Sequence, residues 1–218
     1  RDYGWRGVWM AVFHSISAFC NAGFDILGTE NNPYPSLTGY TGNPIINITI
    51  MLLIVIGGIG FLTWDDIYRN RHHISRYRMQ SKVILSYSLA LIFIPAILFF
   101  FLEFQDIPVG KRILVSLFQS VTTRTAGFNT ADLSSMRESG QFLMILLMLV
   151  GGAPGSTAGG MKVTTLAVLA ALALTFILLA ILWEPFEAEN MTTYSTGLVG
   201  TYLHSRSVSD NVASTVSV

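Results

Sequence analysis

Long uncharged stretches dominate the pattern of hydrophobic and polar positions along the chain. Residues 44–64, 83–102 and 164–183 contain no charged side chain. Each stretch is close to the roughly 20 residues that an α-helix needs to cross a bilayer. A further apolar stretch begins at Gln141 and is interrupted by the sequence GGAPGSTAGG, residues 151–160. The pattern predicts an all-α integral membrane protein in which one span is broken.

Two apolar runs, residues 9–18 and 112–122, are too short to span a membrane. Each is followed by the tripeptide Ala-Gly-Phe, at residues 22–24 and 126–128. A short helix that enters the membrane and turns back leaves non-helical backbone at membrane depth, where protein or a water-filled cavity must satisfy its polar groups. Glycine permits the backbone angles that such a turn needs. We therefore predict two re-entrant pore helices, each ending in a glycine turn.

The flanks of the two tripeptides repeat as well. The sequence FHSIS at residues 13–17 is similar to FQSVT at residues 118–122, with a one-residue gap before Ala-Gly-Phe. After each tripeptide come a polar loop and an apolar stretch that reaches Gly-Gly. Internal repeats of this kind are typical of membrane transport folds. The alternative is a pair of surface turns that share three residues by chance.

Composition supports the membrane assignment. The chain of 218 residues is 51% hydrophobic and 12% charged, whereas soluble domains are about 25% charged. The formal net charge of zero gives no electrostatic case for nucleic-acid binding. The single cysteine, Cys20, excludes an intrachain disulfide framework. No nucleophile–base pair and no metal-ligand cluster is visible in the motifs, so we predict that the protein is not an enzyme.

The distribution of basic residues predicts the orientation. Residues 69–82 hold the densest group of arginines and lysines in the chain. Because positively charged loops stay in the cytoplasm, we expect this segment inside and residues 103–140 outside. Asp65 and Asp66 are expected to pair with the basic segment at the membrane interface.

The interrupted stretch has its own chemistry. Residues 151–162, here called the glycine loop, contain five glycines and a proline, which do not form a stable helix. Residues 44–64 carry glycine at positions 57, 58 and 60 and predict a continuous helix. Lys162 is expected to face a cavity, where it repels cations when the loop is closed, or to extend to the cytoplasmic interface.

Arg124 precedes the second Ala-Gly-Phe tripeptide. A positive charge beside a cation pathway hinders conduction. We therefore expect its guanidinium to lie behind the turn and to donate hydrogen bonds to backbone carbonyls or to Asp132, because five donors suit the bracing of a loop. Exposure to outer water is the alternative.

Three motifs together carry a family resemblance: SAFCNAGFD at residues 17–25, SVTTRTAGFNT at residues 120–130 and GGAPGSTAGGMKVTT at residues 151–165. They resemble the Ktr/Trk/HKT superfamily of potassium uptake proteins, and within it the bacterial Ktr-type membrane subunit, over residues 5–169. The resemblance implies helix–pore-helix–helix repeats with re-entrant pore loops. Four such units surround one pathway in that family, and each contributes a filter glycine.

The same resemblance implies a division of the chain. Residues 1–68 are similar to the pore helix, filter turn and inner helix of a second unit, and residues 83–165 to a third unit that includes the glycine loop. Residues 69–82 form the cytoplasmic basic loop between them. Residues 166–218 match poorly and read as an apolar span and a tail, with a degraded fourth unit as one interpretation. Because the chain lacks an initiator methionine, we expect a piece of a longer protein.

The function implied by the resemblance is potassium uptake through a carbonyl-lined selectivity filter that the glycine loop gates. Sodium is the implied activator, and the implied partners are a second copy of the chain and a cytoplasmic nucleotide-binding regulatory subunit. The implied location is a multi-pass position in the lipid of a bacterial inner membrane. The alternative is a non-conducting truncated subunit that assembles with full-length transporter. The preference between sodium and potassium stays open.

The residues that the resemblance assigns to the filter are Asn21, Ala22, Gly23, Thr125, Ala126 and Gly127, with Arg124 as their support. The residues that it assigns to the gate are Gly151, Gly152, Gly155, Ser156, Thr157, Gly159, Gly160 and Lys162.

Overall fold

A computed structural model describes residues 3–30, 32–71, 73–133 and 136–181 of the chain. Within these ranges the protein is helical and contains isolated bridges but no strand, as predicted. The tail and the degraded fourth unit that the sequence suggested lie mostly at residues 182–218, outside the described residues. The helices are α1 (Gly4–Phe19), α2 (Pro44–Ile59), α3 (Phe61–Asn70), α4 (Met79–Leu102), α5 (Val109–Thr122), α6 (Glu138–Met148) and α7 (Val163–Ile181).

The chain divides into two compact units, Arg1–Val168 and Leu169–Val218. The first unit contains α1 to α6 and the glycine loop, and it holds all the residues that the sequence assigned to a filter or a gate. The described part of the second unit is the remainder of α7, whose residues are exposed and largely apolar.

Two of the described helices, α4 and α7, are long and apolar enough to cross a membrane. The pair α2 and α3 makes a third span if the two are counted together, although they are bent by 94°. The prediction of a continuous helix over residues 44–64 is therefore wrong. The chain breaks at Gly60, which has a φ of 89° and where a Cβ would lie 2.7 Å from the carbonyl oxygen of Pro154. Close packing of the glycine loop against this point requires the break.

Beyond the bend, α3 is polar and meets the basic segment as expected. Asp65 forms an exposed ion pair with Arg69 at 2.8 Å. The buried carboxylate of Asp66 accepts hydrogen bonds from the backbone N–H of Arg78 at 2.8 Å and from the side chain of Asn70 at 2.7 Å. These contacts connect α3 to the start of α4.

The two predicted pore helices are confirmed as short elements. Helix α1 has 16 residues and α5 has 14, fewer than the roughly 20 needed to span a bilayer. Helix α1 packs against α2, and α5 packs against both α2 and α4. The core where these helices meet contains Ala18, Ile50, Ile54, Ile92, Phe118, Val121 and Phe128.

A polar contact fixes α5 to α4 at a proline. Pro95 lies inside α4 and has no N–H to donate to the carbonyl of Leu91, four residues earlier. The hydroxyl of Ser120 on α5 lies 3.2 Å from this carbonyl oxygen and 2.6 Å from that of Ile92. The hydroxyl has one hydrogen, so it donates mainly to Ile92 and reaches the carbonyl left open by the proline through the longer contact.

Candidate ion pathway

The two glycine turns have left-handed φ angles at matching positions. In the first turn, residues 21–24, Asn21 has a φ of 51° and Gly23 of 70°. In the second turn, residues 125–128, Thr125 has a φ of 74° and Gly127 of 87°. Left-handed angles are uncommon for residues other than glycine, and for a β-branched residue such as Thr125 they are strained. The sequence repeat is therefore also a repeat of a strained conformation.

Each turn is held to the end of its pore helix by a backbone hydrogen bond at a matching position of the repeat. The backbone N–H of Ala22 donates to the carbonyl of Ser17 at 2.9 Å, and that of Ala126 to the carbonyl of Thr122 at 3.1 Å.

The hydroxyls of the same two residues close the turns from the other side. Ser17 donates to the carbonyl of Phe24 at 2.9 Å, and Thr122 to the carbonyl of Phe128 at 2.7 Å. Sequence reasoning did not assign a role to these hydroxyls. The signal was present, because Ser17 and Thr122 occupy matching positions in the repeat.

The fold brings the two turns into contact. A Cβ added to Gly23 would lie 2.0 Å from the carbonyl oxygen of Ala126 and 3.1 Å from the Cα of Gly127. A Cβ on Gly127 would be 3.9 Å from the Cα of Gly23. The six residues predicted to form a filter are therefore assembled in two adjacent turns, and no side chain fits at Gly23.

The glycine loop leaves α6 and returns to its starting point before α7. Its base is closed by hydrogen bonds from the N–H of Gly151 to the carbonyl of Met161 at 2.8 Å and from the N–H of Val163 to the carbonyl of Gly152 at 3.1 Å. A Cβ on Gly151 would lie 1.7 Å from the carbonyl oxygen of Gly159, so the two legs of the loop are close enough to demand glycine. The predicted interruption of this span is confirmed.

The far part of the loop packs along the end of α2. The N–H of Ala153 donates to the carbonyl of Gly58 at 2.9 Å, and the N–H of Phe61 donates to the carbonyl of Gly155 at 3.1 Å. A loop N–H thus satisfies a carbonyl at the end of α2, and the first N–H of α3 satisfies a loop carbonyl. Non-helical backbone at membrane depth requires such partners.

Thr157 extends from the loop to the first turn. Its hydroxyl donates to the carbonyl of Phe19 at 2.9 Å and accepts a hydrogen bond from the side-chain amide of Asn21 at 3.0 Å. Sequence reasoning placed Thr157 in the gate and Asn21 in the filter but did not connect them. Nothing in the sequence indicates a contact between residues 136 positions apart.

Arg124 is buried, and it lines a cavity of about 20 Å³ together with Asn21, Ser88, Gly151 and Gly152. In the described part of the chain the guanidinium makes no hydrogen bond, and its Nε is buried without a partner. The expected hydrogen bonds to turn carbonyls or to Asp132 are therefore not formed, and the role of Arg124 as filter support stays a prediction. The burial of Arg124 beside Gly151 and Gly152 of the glycine loop differs from the alternative of exposure to outer water.

Lys162 bends back onto the loop that precedes it. Its Nζ donates to the carbonyl of Ala158 at 2.7 Å, and the residue is half-buried. The side chain therefore stabilises the closed shape of the loop. Neither of the two roles predicted from the sequence is tested by this contact.

Short helices that end in matching turns with left-handed φ angles, together with a glycine loop hydrogen-bonded to one of these turns, are features of a pore-loop membrane transport protein. The chain belongs to the TrkH family of cation transport proteins, whose family model matches residues 1–178.

Similar proteins of this kind include the potassium/sodium uptake protein NtpJ of Enterococcus hirae, 39% identical over 77% of this chain and 37% of that protein. The Ktr system potassium uptake protein B of Bacillus subtilis is 38% identical over 77% of this chain and 38% of that protein. The chain thus spans well under half the length of these relatives. The crystal structure of the potassium transporter TrkH from Vibrio parahaemolyticus shares the fold, with a TM-score of 0.64 at 21% identity over 79% of this chain and 36% of the other.

Proposed function

We propose that this protein takes up potassium ions across a membrane through a selectivity filter made of backbone carbonyls. The observation that carries the proposal is the contact between two turns with the same alternation in the sign of φ, at residues 21–23 and 125–127. Such alternation turns successive carbonyl groups toward one side of the chain. Rings of carbonyl oxygens replace the hydration shell of potassium in known filters.

In this proposal the glycine loop is the gate. It lies against the first turn and the end of α2 and is held there by individual hydrogen bonds rather than by a continuous helix. A switch requires an element with two arrangements of similar energy, and a loop rich in glycine meets that requirement. Movement of the loop away from the first turn would open the pathway.

We further propose that the protein works as a homodimer with a cytoplasmic nucleotide-binding subunit, in a bacterial inner membrane, with sodium as an activator. Three of the similar proteins are named as parts of a Ktr system, which supports the expectation of further subunits. Mass measurement of the purified complex and potassium uptake with and without sodium test these points.

The principal experiment measures potassium uptake by the complete protein in a host that lacks its own uptake systems, and then by Gly127→Ser. The added side chain disfavours the left-handed angle at this position, so we expect weaker discrimination against sodium. Gly110→Ser is a matched control, because Gly110 has ordinary backbone angles and nothing within 4 Å of an added Cβ. Unaltered discrimination in Gly127→Ser contradicts the filter assignment. A correctly localised parent that transports nothing favours the non-conducting subunit.

A further inference from the structure

The end of α1 carries a carbonyl that the helix itself does not satisfy. The last carbonyls of any helix lack intrahelical donors and need other partners. For Phe19 the donor is the hydroxyl of Thr157, at 2.9 Å. The same hydroxyl accepts a hydrogen bond from Asn21 at 3.0 Å. Its hydrogen is therefore used on the end of α1, and one of its acceptor positions is used on the first turn.

Asn21 depends on this contact for its position. It is buried, has a φ of 51°, and its amide is otherwise within hydrogen-bond distance only of the carbonyl of Ile54, at 3.4 Å, among the described residues. A non-glycine residue keeps a left-handed conformation only when its surroundings determine it. Two residues later, Gly23 lies against the carbonyl of Ala126 in the second turn. A shift of Asn21 therefore reaches the contact between the two turns.

We propose that Thr157 is a positioning residue through which the glycine loop sets the shape of the first turn, so that the state of the loop controls ion preference as well as flux. The inference rests on the proposed function and adds to it a coupling between the position of the glycine loop and the preference for potassium over sodium. Loop movement away from the first turn removes the donor from Phe19 and the acceptor from Asn21 in one step.

The experiment compares Thr157→Val, which has the same shape but no hydroxyl, with Thr157→Ser, which keeps it. Ser156→Ala is the matched control within the loop, because the hydroxyl of Ser156 donates to the loop's own Ala153 carbonyl at 2.6 Å. Uptake of potassium and of sodium is measured for the complete protein, and preference is the ratio of the two kcat/KM values.

We expect Thr157→Val to lower this ratio by about tenfold, because it removes both hydrogen bonds of the Thr157 hydroxyl, and Thr157→Ser to restore it. Ser156→Ala is free to change the flux but is expected to keep the parent's ratio. Asn21→Gly, which retains the left-handed angle and removes the amide, should lower the ratio too. The double variant with Thr157→Val should then be no worse than Thr157→Val alone, because Thr157→Val already removes the contact with Asn21.

A second readout does not depend on turnover. Potassium and sodium are compared for how far each raises the melting temperature of the purified protein, since a ligand that binds the folded state stabilises it. The difference between the two ions should shrink in Thr157→Val and not in Ser156→Ala. If Thr157→Val changes the flux while keeping both the uptake ratio and the melting difference, the coupling is wrong and the loop is a gate alone. If the parent itself neither transports potassium nor is stabilised by it, the proposed function fails and the coupling fails with it.

Discussion

The two glycine turns share a conformation but are supported by different parts of the molecule. Asn21 in the first turn is hydrogen-bonded to Thr157 of the glycine loop. Thr125, at the same place in the second turn, has a buried Oγ1 with no hydrogen-bond partner in the described chain, and its methyl group is 3.4 Å from the position of a Cβ on Gly160. The loop therefore binds one turn through polar contacts and only touches the other.

The packing of the helices that precede the two turns also differs. Helix α5 has Val115 and Phe118 fully buried, and Ser120 fastens it to α4. Helix α1 packs against α2. Among the described residues, the second turn is thus supported by helices packed behind it, whereas the first is hydrogen-bonded to the glycine loop. A repeated sequence determines the local shape of both turns, and contacts outside the repeat determine which turn the glycine loop holds.

The largest effect is expected at Gly23. A side chain there meets the carbonyl of Ala126 as well as an unfavourable φ, so Gly23→Ser should cost about 3 kcal/mol or more and abolish uptake. Gly127→Ser adds strain without a close contact and should cost about 1–2 kcal/mol. Thermal unfolding and uptake at matched surface expression test the difference. Equal losses at the two glycines would mean that the turns do not touch as described.

Deletion of residues 155–159 tests the asymmetry of the loop. We expect a several-fold higher flux, because the obstructing segment is removed, and less dependence on a regulatory subunit. From the sequence alone we would expect ion preference to stay intact. The structure changes this expectation, since Thr157 is deleted with the loop and the first turn loses its support. Higher flux with the parent's preference, measured by competing sodium and potassium uptake, would contradict the difference between the turns.

Ser120 tests the scaffold of the second turn. Ser120→Ala removes the hydroxyl from the carbonyls of Ile92 and Leu91, beside Pro95, and should lower the free energy of unfolding by about 1–3 kcal/mol. Ser116→Ala is the control, because the hydroxyl of Ser116 is buried but makes no hydrogen bond within the described residues. Pro95→Ala restores an N–H for Leu91 and should reduce the cost of Ser120→Ala. If thermal unfolding shows the same loss of unfolding free energy for Ser120→Ala and Ser116→Ala, the contact between Ser120 and α4 is not formed as described.

The smallest effects are expected for the hydroxyls that both turns share. Ser17→Ala and Thr122→Val each remove one hydrogen bond to a turn carbonyl and should cost about 1 kcal/mol. Because the two bonds are equivalent, the losses in thermal stability should be similar, although Ser17→Ala should shift ion preference more when combined with Thr157→Val. A large loss at only one position would show that the turns are not held in the same way.

Much of the candidate site could be predicted from the sequence because it depends on local properties. The lengths of α1 and α5 follow from two short apolar runs, and the left-handed glycines follow from the repeated Ala-Gly-Phe tripeptide. The interruption of the span after α6 follows from residues 151–160, because glycine and proline at such density destabilise any helix whatever packs against it.

Tertiary contacts decided the rest. Gly57, Gly58 and Gly60 lie in an apolar run that is compatible with a helix, and the bend at Gly60 arises because Pro154 of a distant loop packs against it. Within the described ranges, the Nε of Arg124 is buried without a partner beside a cavity, and Thr157 contacts Phe19 across 138 residues. Both features depend likewise on how the loop folds back. Local propensity acts over a few residues, whereas hydrogen bonds between distant backbone groups form only after packing has brought those groups together. The sequence by itself therefore determined the short helices, the two glycine turns and the glycine loop. Only the tertiary structure decided which of the two turns the glycine loop holds.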